Sequence, residues 1–238
     1  MSAPSMPDRV LVVMAHPDDV DFGAAGTVAR WTDEGLDVVY CIVTDGEAGG
    51  SDRSVARADM AALRREEQTA AAKVLGVTEL HFLGHPDGRL QPTLDLRRDI
   101  SRVIRAVQPT RVLTQSPERN FQRIYASHPD HLAAGEATLC AVYPDARNPF
   151  SFPELLDEGL EPWTVPEVWM MVGTAHTNWV DITDTFDRKV DALRAHVSQT
   201  SHMENLAEFL RGWGAAQAEA GGLAAGRLAE GFQVIQTG

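Results

Sequence analysis

The stretch that most constrains this chain is Val10 to Gly26, VLVVMAHPDDVDFGAAG. It starts with an apolar, largely β-branched run, Val10 to Met14, bounded by a polar cluster. Such a run predicts a strand buried on both faces of a parallel sheet. His16, Pro17, Asp18 and Asp19 follow, with Asp21 close behind, and the small residues Gly23 to Gly26 lead into a helical pattern. One imidazole and up to three carboxylates therefore fall where a first strand ends and a first helix begins. In open α/β sheets that is where ligands bind.

The rest of the chain repeats this order. A helix is predicted over 24–34 with Gly35 as its C-cap. Strands follow at 37–44, 79–83 and 111–115, and helices at 57–75, 95–107 and 132–142. This β-α-β-α-β-α-β order implies parallel strands with right-handed crossovers, an α/β fold with a mostly parallel sheet flanked by helices. The polar loops 45–54, 84–89 and 116–129 then share one sheet edge with His16, and the glycine-rich 45–54 loop suits a mobile rim. Segment 144–166 is expected as a long loop near the site. Strands at 168–174 and 178–182 and a helix at 184–199 follow. The tail, 200–238, is expected to form one more helix and a terminal strand, packed on the body or on a neighbouring subunit. A chain of 238 residues, 44% hydrophobic, suits one domain spanning 1–238.

A net charge of −13 argues against a general nucleic-acid or anionic-membrane binder. No apolar stretch approaches the roughly 20 residues that span a bilayer. The N-terminus lacks the basic-then-apolar order of a signal peptide. The spacing of Cys41 and Cys140 fits neither a zinc cage nor a disulfide framework, so a reducing, cytoplasmic setting is expected.

The first motif, His16-Pro17-Asp18-Asp19, has a counterpart in His128-Pro129-Asp130-His131. The two follow the first and fourth strands, which can be neighbours flanking the switch point of a doubly wound sheet. Two histidines and one aspartate suit zinc with an open position for water. Such a metal lowers the pKa of its water towards neutrality. Asp18, beside a ligand, can serve as general base, and His128, oriented by Asp130, as a donor to the tetrahedral intermediate. HPDD alone also reads as a helix cap. A second motif at the matching place in the topology weighs against coincidence.

These two motifs resemble those of the LmbE-like (PIG-L) family of metal-dependent N-deacetylases. Thr44-Asp45-Gly46-Glu47-Ala48-Gly49, Arg64 and Glu67 ahead of Leu75-Gly76-Val77, Leu83 to Gly88 (LGHPDG), and Val180-Asp181-Ile182-Thr183 are similar to further family segments, so the likeness spans most of 10–199. The resemblance implies a Rossmann-like fold with Zn²⁺ at the C-terminal edge of the sheet. It implies hydrolysis of an acetamide, commonly on N-acetylglucosamine-containing substrates. By position, His16, Asp19 and His131 would bind the metal, with Fe²⁺ or another divalent ion as alternatives. Asp18 would be the general base. His128, with Asp130 behind it, would stabilise the oxyanion or protonate the leaving amine. Arg64 and Asp87 match positions that hold sugar hydroxyls, and Glu47 lies in a loop that contributes to the pocket. Some members carry an aromatic hydroxyl two residues before the second motif; here Ala126 stands there, so Tyr125, Arg123 or neither takes that role. The implied partners are a small N-acetylated substrate and further copies of the chain in a homo-oligomer.

Other readings are a metal- or sugar-binding module without turnover and a phosphate-accepting receiver-like domain. Asp18 beside the ligands argues against the first, and the length and second histidine cluster against the second. Gly23 and Gly26 do not complete a dinucleotide fingerprint. Asp21 reads as a supporting or capping residue, His81 as packing and His202 as solvated, while His85, His176 and His196 have no assigned role. Trp163, Trp169 and Trp179 read as core residues before sugar-stacking ones.

Overall fold

A computed structural model describes residues 8–50, 52–121, 124–171, 173 and 175–238, without the side chains of Tyr125 and Ala126. Among the described residues, one sheet contains β1 (Arg9–Met14), β2 (Asp37–Thr44), β3 (Glu79–His85), β4 (Arg111–Gln115), β5 (Glu167–Met171), β6 (Asn178–Asp181) and β7 (Ala229–Gln236). Their order is β3-β2-β1-β4-β5-β7-β6. The first five strands are parallel. β7 pairs antiparallel with both β5 and β6.

Alternate residues of β1 serve two cores. Val10, Val12 and Met14 pack with α1 (Asp19–Asp33), α2 (Arg57–Val74) and α6 (Phe186–Ala195). Leu11 and Val13 face α3 (Leu94–Val107) and α4 (Pro129–Cys140). Side chains alternate across a strand, so a sheet covered on both faces needs an unbroken apolar run. All five side chains from Val10 to Met14 are 0% exposed, each stabilising the fold by about 1.5–3 kcal/mol. The winding reverses between the adjacent strands β1 and β4, so both histidine motifs open into one switch-point crevice.

Several boundaries differ from the sequence expectation for local reasons. Helix α1 starts at Asp19, not near residue 24, and α4 at Pro129, not near 132. In both cases the motif itself makes the first turn. Asp19 and Asp21 form an acidic first turn of α1, which the helix dipole favours. Proline suits the first helical position of α4, with His128 as the N-cap. The helix expected over 184–199 breaks at His196, φ −83° and ψ 60°, into α6 and α7 (Val197–Thr200).

Segment 144–166 contains the short α5 (Glu154–Asp157) and is anchored by Arg105 of α3. Arg105 is 1% exposed. It donates to the carbonyls of Ala146, Leu160, Asp145, Asn148 and Ser151. A guanidinium keeps its charge and has donors only, so a buried one needs such a cage of carbonyls. The tail forms α8 (Leu206–Ala220) and β7, and β7 enters the sheet interior between β5 and β6. Of the strand expected at 168–174, Val172 and Thr174 lie outside the described residues. No helix among the described residues is long and apolar enough to cross a membrane.

Candidate active site

The crevice is lined by both histidine motifs and by the loops after β2 and β3. His16 is its hub. Its Nδ1 lies 3.3 Å from Asp19 Oδ2. Its Nε2 lies 3.1 Å from Asp87 Oδ1 and 3.3 Å from Asp130 Oδ2. Asp19 Oδ1 is 3.0 Å from His131 Nε2, so Asp19 sets one oxygen against each imidazole. The rings of His16, His128 and His131 lie 5.1 to 5.2 Å apart, centroid to centroid.

This arrangement favours positive charge. Burial opposes protonation of His16, but Asp19, together with hydrogen bonds to Asp130, Asp19 and Asp87, raises its pKa to about 12. Burial would raise Asp19, yet His131 and His16 hold it well below the usual carboxylate range. Asp87, also resisted by burial, is lowered to about 2 by its contact with His16. The donor set fits a divalent cation: ligand atoms of His16, His128 and His131 come within 4.8 Å of one another, as do those of His16, Asp87 and Asp130. Asp87 and Asp130 hold the Nε2 side of His16 and leave Nδ1 facing Asp19, the way outer carboxylates orient a ligating imidazole.

Asp18 stands beside this cluster in the left-handed region, φ 86°. Its Oδ2 accepts from Arg64 Nη2 at 2.9 Å. Burial raises its carboxyl to about 6 against the opposing pull of Arg64. A carboxyl titrating there suits proton transfer near neutral pH. Arg64 is 4% exposed. It also donates to Pro17 O at 2.5 Å and Gly46 O at 3.0 Å. At Gly46 (φ 65°) a Cβ would overlap the Arg64 guanidinium, so glycine is required there. Arg64, expected on sugar hydroxyls, is thus engaged by Asp18 and two loops.

His128 and Asp130 are related differently from the expectation. The Asp130 carboxylate accepts from Gly88 N at 2.7 Å and Leu90 N at 3.2 Å, and lies by His16. It is the Asp130 backbone N–H that orients His128, donating to Nδ1 at 3.2 Å. As N-cap, the His128 ring folds back on the first turn of α4 while Asp130 reaches across to the loop after β3. An accepting Nδ1 sets the neutral tautomer with its proton on Nε2. Burial, then the neighbouring His16 and His131, keeps the His128 pKa low.

A family model described as "PIG-L: GlcNAc-PI de-N-acetylase" matches residues 11–142. The chain belongs to the PIG-L family. It is 36% identical over 191 residues to the diacetylchitobiose deacetylase of Thermococcus kodakarensis, covering 80% of this chain and 70% of that one. It is 33% identical over 206 residues to a probable N-acetyl-alpha-D-glucosaminyl L-malate deacetylase 2 of Bacillus cereus, covering 83% and 86%. The solved N,N'-diacetylchitobiose deacetylase of Pyrococcus horikoshii superposes with a TM-score of 0.88 at 31% identity, over 96% of this chain and 84% of that one.

In this PIG-L chain the loops after β2 and β3 are laced together. Glu47 Oε1 accepts from Asp87 N and from Arg57, both at 3.0 Å. Ala48 N donates to Asp87 Oδ2 at 2.8 Å. The rim expected to be mobile is held at Gly46, Glu47 and Ala48, and Glu47 serves the loops instead of facing the crevice. Arg123 and the Tyr125 side chain lie outside the described residues. Asp21 is a supporting residue: its Oδ2 accepts from Gln68 Nε2 at 2.9 Å and faces His196 Nε2 at 2.8 Å. His196 is fully buried and does not line the crevice. Trp163 donates to Pro109 O, Trp169 belongs to the core, and Trp179 meets His176 edge to face. His81 pairs with Glu79 and His85 with Asp99. Sequence reasoning missed Gln68, though it falls on the inward stripe of α2 with Arg64, Ala71 and Ala72.

Proposed function

We propose that the chain is a zinc-dependent N-deacetylase acting on an N-acetylglucosamine-type sugar. The observation that carries this is Asp19 set between His16 Nδ1 and His131 Nε2, with the second carboxylate, Asp18, alongside. The deacetylase names of the relatives support it. His16, Asp19 and His131 would hold the metal. Zn²⁺ held there supplies Lewis acidity towards a carbonyl and makes water acidic enough to ionise near neutral pH.

The chain's own residues do the rest. Asp18 takes a proton from the attacking water. His128 donates a hydrogen bond from Nε2–H to the carbonyl oxygen as negative charge develops, and the proton taken up by Asp18 passes to the leaving amine. A C–O bond to the acyl carbon forms, the C–N bond breaks, and acetate and a free amino sugar leave. Asp87 and Asp130 hold His16 throughout. Asp87, Arg123 and Tyr125 remain the candidates around the sugar, Glu47 and Arg64 being held by the loops and by Asp18. The reading includes one domain over 1–238 and a cytoplasmic homo-oligomer, supported by the two free cysteines and by the half-exposed Phe209 on α8; sedimentation tests the oligomer. The function is tested by stripping the protein, reloading it with Zn²⁺ or Fe²⁺, and assaying acetate release from a panel of N-acetylated amino sugars. Acetate and free amine in equal amounts from one substrate are expected. Tight metal with no turnover across the panel would return the binding-module reading.

A further inference from the structure

We propose that Gln68 is a positioning residue for the base: its amide holds the Asp18 backbone in its left-handed turn and ties it to the buried Asp21–His196 pair. This rests on the reading of Asp18 as general base.

The left-handed region costs a non-glycine residue about 1–2 kcal/mol, so the surroundings must hold Asp18 there. The Asp18 carbonyl opens α1, accepting from Asp21 N at 2.9 Å and Phe22 N at 3.0 Å. Its side chain caps nothing. Its N–H points the other way and donates to Gln68 Oε1 at 2.8 Å. Gln68 is 0% exposed, so this is a deliberate use of a buried amide. Arg64 and Gln68 are four residues apart on α2 and share a face. One grips the Asp18 carboxylate and the other its N–H, so a single helix face fixes both ends of the residue.

The other end of Gln68 shows why glutamine is needed. Nε2 donates to Asp21 Oδ2 at 2.9 Å, and that oxygen also faces His196 Nε2 at 2.8 Å. The Asp18 backbone N–H can only donate, so the amide oxygen must face it. The amide is therefore oriented uniquely, NH₂ towards Asp21 and carbonyl towards Asp18. Glutamate would set a carboxylate against Asp21, and methionine would satisfy neither group. A base displaced by about 1 Å can lose roughly 10²-fold in rate. Gln68 does not line the crevice, so its effect falls on the chemical step and not on substrate affinity.

The test uses the full chain, zinc-loaded, with Gln68→Met and Gln68→Glu. Gln68→Met is expected to lower kcat by about 10²-fold, with KM within about twofold and zinc still near one equivalent. Gln68→Glu also loses kcat. In an Asp18→Asn background, Gln68→Met costs nothing further. Amide hydrogen exchange gives a readout independent of turnover: the Asp18 N–H loses protection in Gln68→Met while Val28 in α1 keeps it. Unchanged kcat and Asp18 protection in Gln68→Met, or an equal loss in the Asp18→Asn background, overturns the proposal. If wild type releases no acetate, the deacetylase reading fails, while exchange still reports whether Gln68 holds Asp18.

Discussion

Replacing Arg64 with methionine separates two roles for one side chain. The resemblance implies contact with sugar hydroxyls; the structure commits the guanidinium to Asp18, Pro17 and Gly46. The Arg64 and Asp18 side chains are 5% and 15% exposed. Removing one partner of a buried pair costs about 3–5 kcal/mol. Asp18 opens onto the crevice, where water can reach it, so the lower end applies, about 3 kcal/mol. In a chain of this size that lowers Tm by about 6–12 °C. The carboxylate left behind tips towards its protonated form, and kcat falls by about 10²-fold or more with little change in KM. Arg64→Lys falls between, because one ammonium cannot span three acceptors in a planar fork. Thermal melts and Michaelis kinetics on the zinc-loaded variants read both effects. A Tm within about 3 °C of wild type, with the defect confined to KM, would refute this reasoning.

Three further outcomes follow from other contacts. Glu167 accepts from Arg111, Trp169 and Gln236; burial resists its ionisation, but these donors hold it below its ordinary value. Its contribution is therefore full above the unfolded carboxyl value and lost as pH falls through the folded one: Glu167→Gln is less stable than wild type by about 1 kcal/mol at pH 7, and urea melts should converge below about pH 4. A constant difference across that range contradicts it. Arg105→Met should lose about 2–4 kcal/mol and open residues 145–160 to proteolysis, since five carbonyls lose the guanidinium, with Ala146, Asp145 and Asn148 keeping a backbone donor; an unchanged melt and digestion pattern argues against the anchor. Chelation should lower stability by about 2.7 kcal/mol relative to metal at 100-fold over Kd, with recovery on Zn²⁺ but not Mg²⁺. Equal recovery with Mg²⁺ would contradict a nitrogen-rich site.

What was legible in the sequence was governed by local pattern. The apolar run Val10 to Met14, the strand–helix alternation and the matching positions of the two histidine motifs sufficed to place His16, Asp19 and His131 together. Partners across the crevice were not legible. Asp130 stands two residues after His128, yet its carboxylate serves His16, because the first turn of α4 sends side chains two positions apart in different directions. Arg64, Gln68 and Arg105 sit on helices where a polar residue reads as solvent-facing until the opposing element is known. The place of β7 inside the sheet depends on pairing with β5 and β6, separated from it by dozens of residues. The early starts of α1 and α4 show the motif residues acting as helix termini and as site residues at once.

The central claim is that the His16–Asp19–His131 cluster binds the metal and Asp18 moves the proton. The most direct measurement is zinc content and acetate release for wild type and Asp18→Asn, side by side. About one equivalent of zinc in both, with turnover lowered by about 10²- to 10⁴-fold in the variant alone, is the predicted result. Full turnover in Asp18→Asn, or no tightly held metal in wild type, would contradict the account.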